Sequence, residues 1–208
     1  ERQFVKSSST LHHFRKNEMI HCEGDTPTHM MILAAGKVKV YKDGVGSRTQ
    51  IIRMLKPGEH FGYRAIIANE SYNTNVSAFE ASSVYMLRAD IFISILRNNN
   101  AFCFRFLEEI ASDLGASDAR TVNLTQKHIR GRLAEALLLL KKNYGVEEDG
   151  ATINIYLSRE DLANLSNMTT SNAIRTLSNF VNEHVIAMDG RKLKIIDDER
   201  LVKISKMG

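Results

Sequence analysis

Cysteine is scarce: the 208-residue chain has two, Cys22 and Cys103, far apart and with no Cys-x-x-Cys spacing. That excludes a disulfide framework and a cysteine-held cluster, and both residues are expected to be reduced, partly buried thiols. Long apolar runs are missing as well. No stretch of eighteen apolar residues occurs, and the opening Glu1-Arg2-Gln3-Phe4-Val5-Lys6 lacks the charged-then-apolar pattern of a secretory signal. A soluble, cytoplasmic protein with no membrane partner is the expectation. Catalytic signatures are absent too: there is no Gly-x-x-x-x-Gly-Lys phosphate loop, no nucleophile constellation and no paired carboxylates. No enzyme is expected, and no catalytic residue is nominated. His12, His13, His21, His29, His60 and His128 show no ligand spacing, so no metal residue is nominated either, and the cofactor is left unknown.

What is present is enough apolar material for a sizeable core, 43% of residues, and a net charge of +4 that is unevenly spread. Residues 1–119 carry 14 basic and 13 acidic side chains, residues 120–144 carry 6 and 1, and residues 145–208 carry 8 and 10. The C-terminal acids cluster at Glu147-Glu148-Asp149 and Asp197-Asp198-Glu199, whereas Arg159, Arg175, Arg191, Lys192 and Lys194 fall elsewhere.

From Met19 to about Asp90, short apolar alternations are cut by glycines, with Pro57-Gly58 a strong turn dipeptide; this spacing predicts an antiparallel roll or barrel. Ile91–Leu96 reads as a short helix. Residues 101–128 read as a long one, with Leu107, Ile110, Leu114, Thr121 and Leu124 on a heptad-like stripe suited to pairing with a second copy. Gly115 weakens its middle by up to about 1 kcal/mol relative to Ala. Gly131–Lys142 forms another amphipathic helix. Leu157–Ile196 then outlines a winged helix-turn-helix. Ser158 with Asp161 caps a first helix that buries Leu162 and Leu165. Thr169 or Thr170 caps a second, with Ala173, Leu177, Phe180 and Val181 inward and Thr170, Ser171, Asn172 and Arg175 outward. Two apolar stretches flank Asp189-Gly190, a hairpin turn whose two residues both take positive φ, and form the wing.

Three segments carry a family resemblance: Leu55-Lys56-Pro57-Gly58-Glu59-His60-Phe61-Gly62, Ile129-Arg130-Gly131-Arg132-Leu133-Ala134 and Leu157-Ser158-Arg159-Glu160-Asp161-Leu162-Ala163. In this order they resemble the cyclic-AMP receptor protein / fumarate-nitrate regulator family of bacterial transcription factors. The resemblance implies an α+β fold: an antiparallel β-roll, cyclic-nucleotide-binding-like and cupin-like, over residues 1–99, a dimerisation helix over 100–127 and a winged helix-turn-helix over 128–208. It implies a homodimer that presents two reader helices to a near-palindromic double-stranded operator, contacts RNA polymerase and is switched by a small-molecule effector or redox change about a hinge at Lys127–Arg130. Matched residue by residue, Arg175 is a base contact, with Thr170, Ser171 and Asn172 beside it, while Arg159, Thr169 and Arg191 contact phosphate. Gly62, Tyr63, Arg64, Tyr72 and Asn73 fall at the effector pocket.

The chain departs from the family there. Cyclic-nucleotide members follow Phe-Gly with a Glu for the ribose and hold the phosphate with an Arg-Ser or Arg-Thr pair; here Tyr63 follows, and Tyr72-Asn73 fall where the pair belongs. A buried phosphate without a cation loses several kcal/mol of solvation. Cyclic AMP is therefore not the expected effector, and the cysteines rule out the family's iron–sulfur branch. Ser171 stands where many members carry a base-reading Glu, so the usual half-site is not assumed. The alternative function is a nucleotide-binding regulatory subunit that acts through protein–protein contacts.

Overall fold

A computed structural model describes residues 8–207; the opening hexapeptide and the first seven residues of the expected roll lie outside the described residues. Two compact units divide the chain, Glu1–Leu114 and Gly115–Gly208.

In the first unit, β1 (Ser9–Phe14), β2 (Met19–His21), β3 (His29–Ala35), β4 (Val38–Asp43), β5 (Thr49–Leu55) and β6 (His60–Phe61) precede a one-and-a-half-turn helix, α1 (Tyr63–Ala68). β7 (Asn75–Ala78), β8 (Ser82–Arg88) and α2 (Ala89–Asn98) follow. The strands form two antiparallel four-stranded sheets, ordered β1-β8-β3-β6 and β2-β7-β4-β5, which is the expected roll. Because side chains alternate along a strand, β3 serves two cores. Met31 and Leu33 join Val38, Leu55, Phe61, Tyr72, Val76 and Val84 inside the roll, while Met30 and half-buried Ile32 turn outward to Tyr63, Leu87, Phe92 and Phe106.

The long helix, α3, spans Asn100–Gln126 and runs through Gly115 without a break. Its Phe106 supplies the last ring of the outer core, edge-on to Phe92 with centroids 5.3 Å apart and to Tyr63 at 5.1 Å. Both cysteines prove exposed rather than partly buried, Cys22 just beyond the end of β2 and Cys103 on the outer face of α3.

The second unit continues with α4 (Ile129–Tyr144), α5 (Arg159–Leu165), α6 (Thr170–Asn182), the hairpin β9 (Ile186–Asp189) and β10 (Lys192–Ile195), and α7 (Asp198–Met207). Leu133, Ala134, Leu137 and Leu140 of α4 are fully or nearly fully buried, as are Ile153, Ile155, Leu162, Leu177, Phe180, Ile186 and Leu201, and α4 packs against α5, α6 and α7. A bridge from Thr152 to Lys194 lays the segment before α5 against the hairpin.

Candidate nucleic-acid interface

α5 opens on a complete capping box: the Asp161 amide donates to Ser158 Oγ at 3.0 Å, and the Ser158 amide donates to Asp161 Oδ2 at 3.2 Å. The chain turns at Asn167, whose φ of 50° is left-handed, and Met168 is buried beneath the turn. α6 then starts on Thr169, whose Oγ1 accepts from the Asn172 amide at 3.3 Å. Ala173, Leu177 and Phe180 seat the helix, and the Arg130 guanidinium lies 4.8 Å over the Phe180 ring. One inward position differs from expectation: Val181 is 37% exposed and Thr176 is buried instead. Thr176 lies three residues after Ala173 and four before Phe180, on their helical face, whereas Val181 is rotated off it.

The outward face carries Thr170, Ser171, Ile174, Arg175 and Ser178, all exposed, with Asn172 half-buried at its edge. Arg175 Nη2 donates to Asn172 Oδ1 at 2.9 Å, and the Thr169 and Ser171 hydroxyls are 3.1 Å apart, so these predicted contacts form one polar patch. Ile174 and Ser178 share that patch as well, in addition to the four outward residues expected from the sequence. Their spacing of three and seven residues from Ser171 was the available signal.

The wing's turn is Gly190-Arg191, with Asp189 paired to Lys192 as the last rung. Gly190 has a φ of 56°, whereas Asp189 stays in the strand, so the turn sits one residue later than expected. Arg159 donates to the Gly190 carbonyl, which ties the start of α5 to the wing tip. The wing lysines are already paired: Lys192 with Glu147 and Lys194 with Asp149, each at 3.2 Å. The amides of Thr152 and Ala151 hold the Asp149 carboxyl far below the usual carboxylate range. The Tyr156 hydroxyl, and then Lys192, lower Glu147, and Glu147 in turn raises Lys192. Glu183 binds Arg130 and Arg200, and Asp198 binds Lys141. Among the described residues, Arg175 and Arg191 hold no carboxylate, which leaves them as cations open to a phosphate or base edge.

On α3, the structure separates the predicted stripe. Leu107 and Leu114 are 57% and 63% exposed and Thr121 is exposed, but Ile110 packs against the Phe92–Phe106 core and Leu124 is half-buried. Exposed Phe104, Leu107, Ala111, Leu114, Thr121 and Thr125 instead follow the alternating three- and four-residue step of a coiled-coil seam, interrupted by Asp118.

Two family models match this chain: a cyclic nucleotide-binding domain over residues 11–99 and a Crp-like helix-turn-helix domain over residues 131–204. The chain belongs to the CRP/FNR family. It is a DNA-binding transcription regulator of that type, not an enzyme. Among curated relatives, it is 22% identical over 191 residues to a CRP-like cAMP-activated global transcriptional regulator of Mycobacterium tuberculosis, covering 91% of this chain and 85% of that one. An anaerobic regulatory protein of Bacillus subtilis is 23% identical over 189 residues, 90% of this chain and 79% of its own. The structure of FixK2 from Bradyrhizobium japonicum superposes with a TM-score of 0.85 at 21% identity, covering 94% and 96% of the two chains, and so shares the CRP/FNR fold. No helix among the described residues is long and apolar enough to cross a membrane.

The CRP/FNR roll of this chain does not bring its five candidate effector residues together. Gly62, at a φ of 80°, sits so tightly that an added Cβ would come within 2.7 Å of Met31 Cε and 3.4 Å of the Tyr72 hydroxyl. Tyr72 lies in the roll core, stacked on His21 at 3.7 Å, and burial pushes its hydroxyl up to about 12. Tyr63 points to the outer core instead, where its hydroxyl donates to Asp113 Oδ2 at 2.7 Å beside Arg53 Nη1, also at 2.7 Å. Burial and then Asp113 raise the Tyr63 hydroxyl to about 12. Arg64 does not turn inward. It is exposed and paired with Glu70 at 2.9 Å, and exposed Asn73 offers its carbonyl to Lys42 at 3.1 Å. Arg64 is the one cation among these five residues, and Glu70 holds it at the surface, so they do not fit a cyclic nucleotide phosphate.

Proposed function

We propose that the protein is a homodimeric, sequence-specific regulator of transcription that inserts α6 of each copy into successive major grooves of a near-palindromic operator. The observation that carries this reading is Arg175: exposed, without a carboxylate partner among the described residues, and set on the face of a thirteen-residue helix whose other face is buried. An Arg so placed reaches guanine O6 and N7 through two parallel hydrogen bonds. Thr170, Ser171 and Asn172 flank it, while Arg159, Thr169 and Arg191 meet phosphates, which fix register. The seam on α3 supports pairing of two copies, and two-fold pairing sets half-sites about 34 Å apart.

Control belongs to the roll, through a small molecule or a redox change other than cyclic AMP binding. Such a switch needs different affinities for two arrangements of the dimer, with Lys127–Arg130 as the hinge. RNA polymerase contact and a cytoplasmic location follow from the transcriptional role. The test is binding of duplexes selected from a random pool, read by mobility shift across a salt series. Wild type should recover a near-palindrome, and Arg175→Ala should lose about 1–3 kcal/mol per half-site while keeping salt-sensitive, sequence-blind binding. Equal operator affinity in the variant would refute the assigned register of α6.

A further inference from the structure

We infer that Ile174 is a specificity-determining residue that packs on the 5-methyl group of a thymine in each half-site. This rests on the reading of α6 as the groove-inserted helix. Ile174 is 49% exposed in the middle of that helix, one turn beyond Thr170 and one turn before Ser178, with Ser171 and Arg175 at its sides. The core does not use it: Ala173, Thr176, Leu177 and Phe180 seat the helix without it. Helix formation does not favour it either, because a β-branched side chain loses rotamer freedom in a helix.

Once the polar patch around Ile174 is pressed into a groove, water leaves this side chain and the base edge opposite. Isoleucine neither donates nor accepts a hydrogen bond. A cytosine amino group or a guanine carbonyl set against it would lose its water and gain no partner. The thymine methyl is the one apolar group that the major groove presents, so complementarity selects thymine at this position. Arg175 is the next residue along the helix and is oriented by Asn172, so this thymine lies within one or two base pairs of the guanine that Arg175 reads.

The experiment takes the full-length protein and the duplex recovered by selection, and replaces thymidine by deoxyuridine one position at a time, which removes only the methyl. One position per half-site should weaken binding by about fourfold, the factor for uncovering one methyl group, and about fifteenfold when both half-sites are changed. Ile174→Ala should bind uridine and thymidine duplexes alike at that position with an unchanged melting temperature, while Arg175→Ala keeps the uridine effect. Replacing that thymine by cytosine should weaken wild type, and 5-methylcytosine should restore part of the loss. If no thymine position responds to uridine, or Ile174→Ala responds as wild type does, the inference is overturned while the reader assignment stands. A selection that recovers no preferred sequence overturns the reader assignment and this inference together.

Discussion

Lowering the pH from 7 to 5 should weaken the first unit through His21, and His21→Phe should remove that sensitivity. His21 is only 8% exposed and stacked on Tyr72 with an interplanar angle of 15°, and its Nδ1 has no hydrogen-bond partner among the described residues. Burial lowers its pKa from 6.5 to about 4, against the smaller raising effects of Asp25 and of the backbone at Cys22 and Thr74. The folded form therefore binds the proton less well than the unfolded chain. Stability is complete above pH 6.5 and is lost as the pH falls from there towards 4. The whole displacement corresponds to about 3 kcal/mol, of which about 2 kcal/mol falls between pH 7 and pH 5. Urea unfolding followed by circular dichroism at the two pH values, for wild type and variant, isolates this group as a difference of differences. Phenylalanine keeps the ring stack and cannot titrate. A variant that loses as much stability between pH 7 and pH 5 as wild type would refute the assignment.

Leu107→Glu combined with Leu114→Glu should yield a folded monomer by sedimentation, since both side chains are exposed in the single chain; a dimer that persists would place the pairing surface elsewhere. Glu147→Gln with Asp149→Asn frees Lys192 and Lys194, so DNA affinity at low salt should rise and the salt slope should steepen by up to about 2 per chain. An unchanged slope would show that the wing lysines stay off the phosphates. Tyr63→Phe removes the hydroxyl from Asp113 while leaving Arg53 in place, and should cost about 1 kcal/mol in unfolding experiments. No loss would mean that Arg53 alone satisfies the carboxylate.

Elements with their own local signals were legible in the residues. Ser158 with Asp161 marks the start of α5, the three- and four-residue spacing of apolar residues marks α3, α4 and α6, and alternating strands punctuated by glycine mark the roll. Legibility failed where a side chain's direction depends on distant partners. Tyr63 sits beside Gly62 in sequence, yet Asp113, fifty residues away, draws it into the outer core. Arg64 could equally have faced inward, and Glu70 decides otherwise. Ile110 belongs to the heptad pattern, but the rings of Phe92 and Phe106 claim it. The acidic run at Glu147-Glu148-Asp149 announces charge without announcing that Lys192 and Lys194 receive it.

Met30 and Met31, adjacent on β3 and buried on opposite sides, tie the fate of one hydrophobic cluster to that of the other. Sliding this strand by a single residue against β8 would send each methionine into the wrong compartment, so misalignment is penalised twice over. Sheet interior and helix-facing exterior are thereby proofread by the same seven-residue segment, and the first unit should melt in one cooperative step rather than shed its helices first.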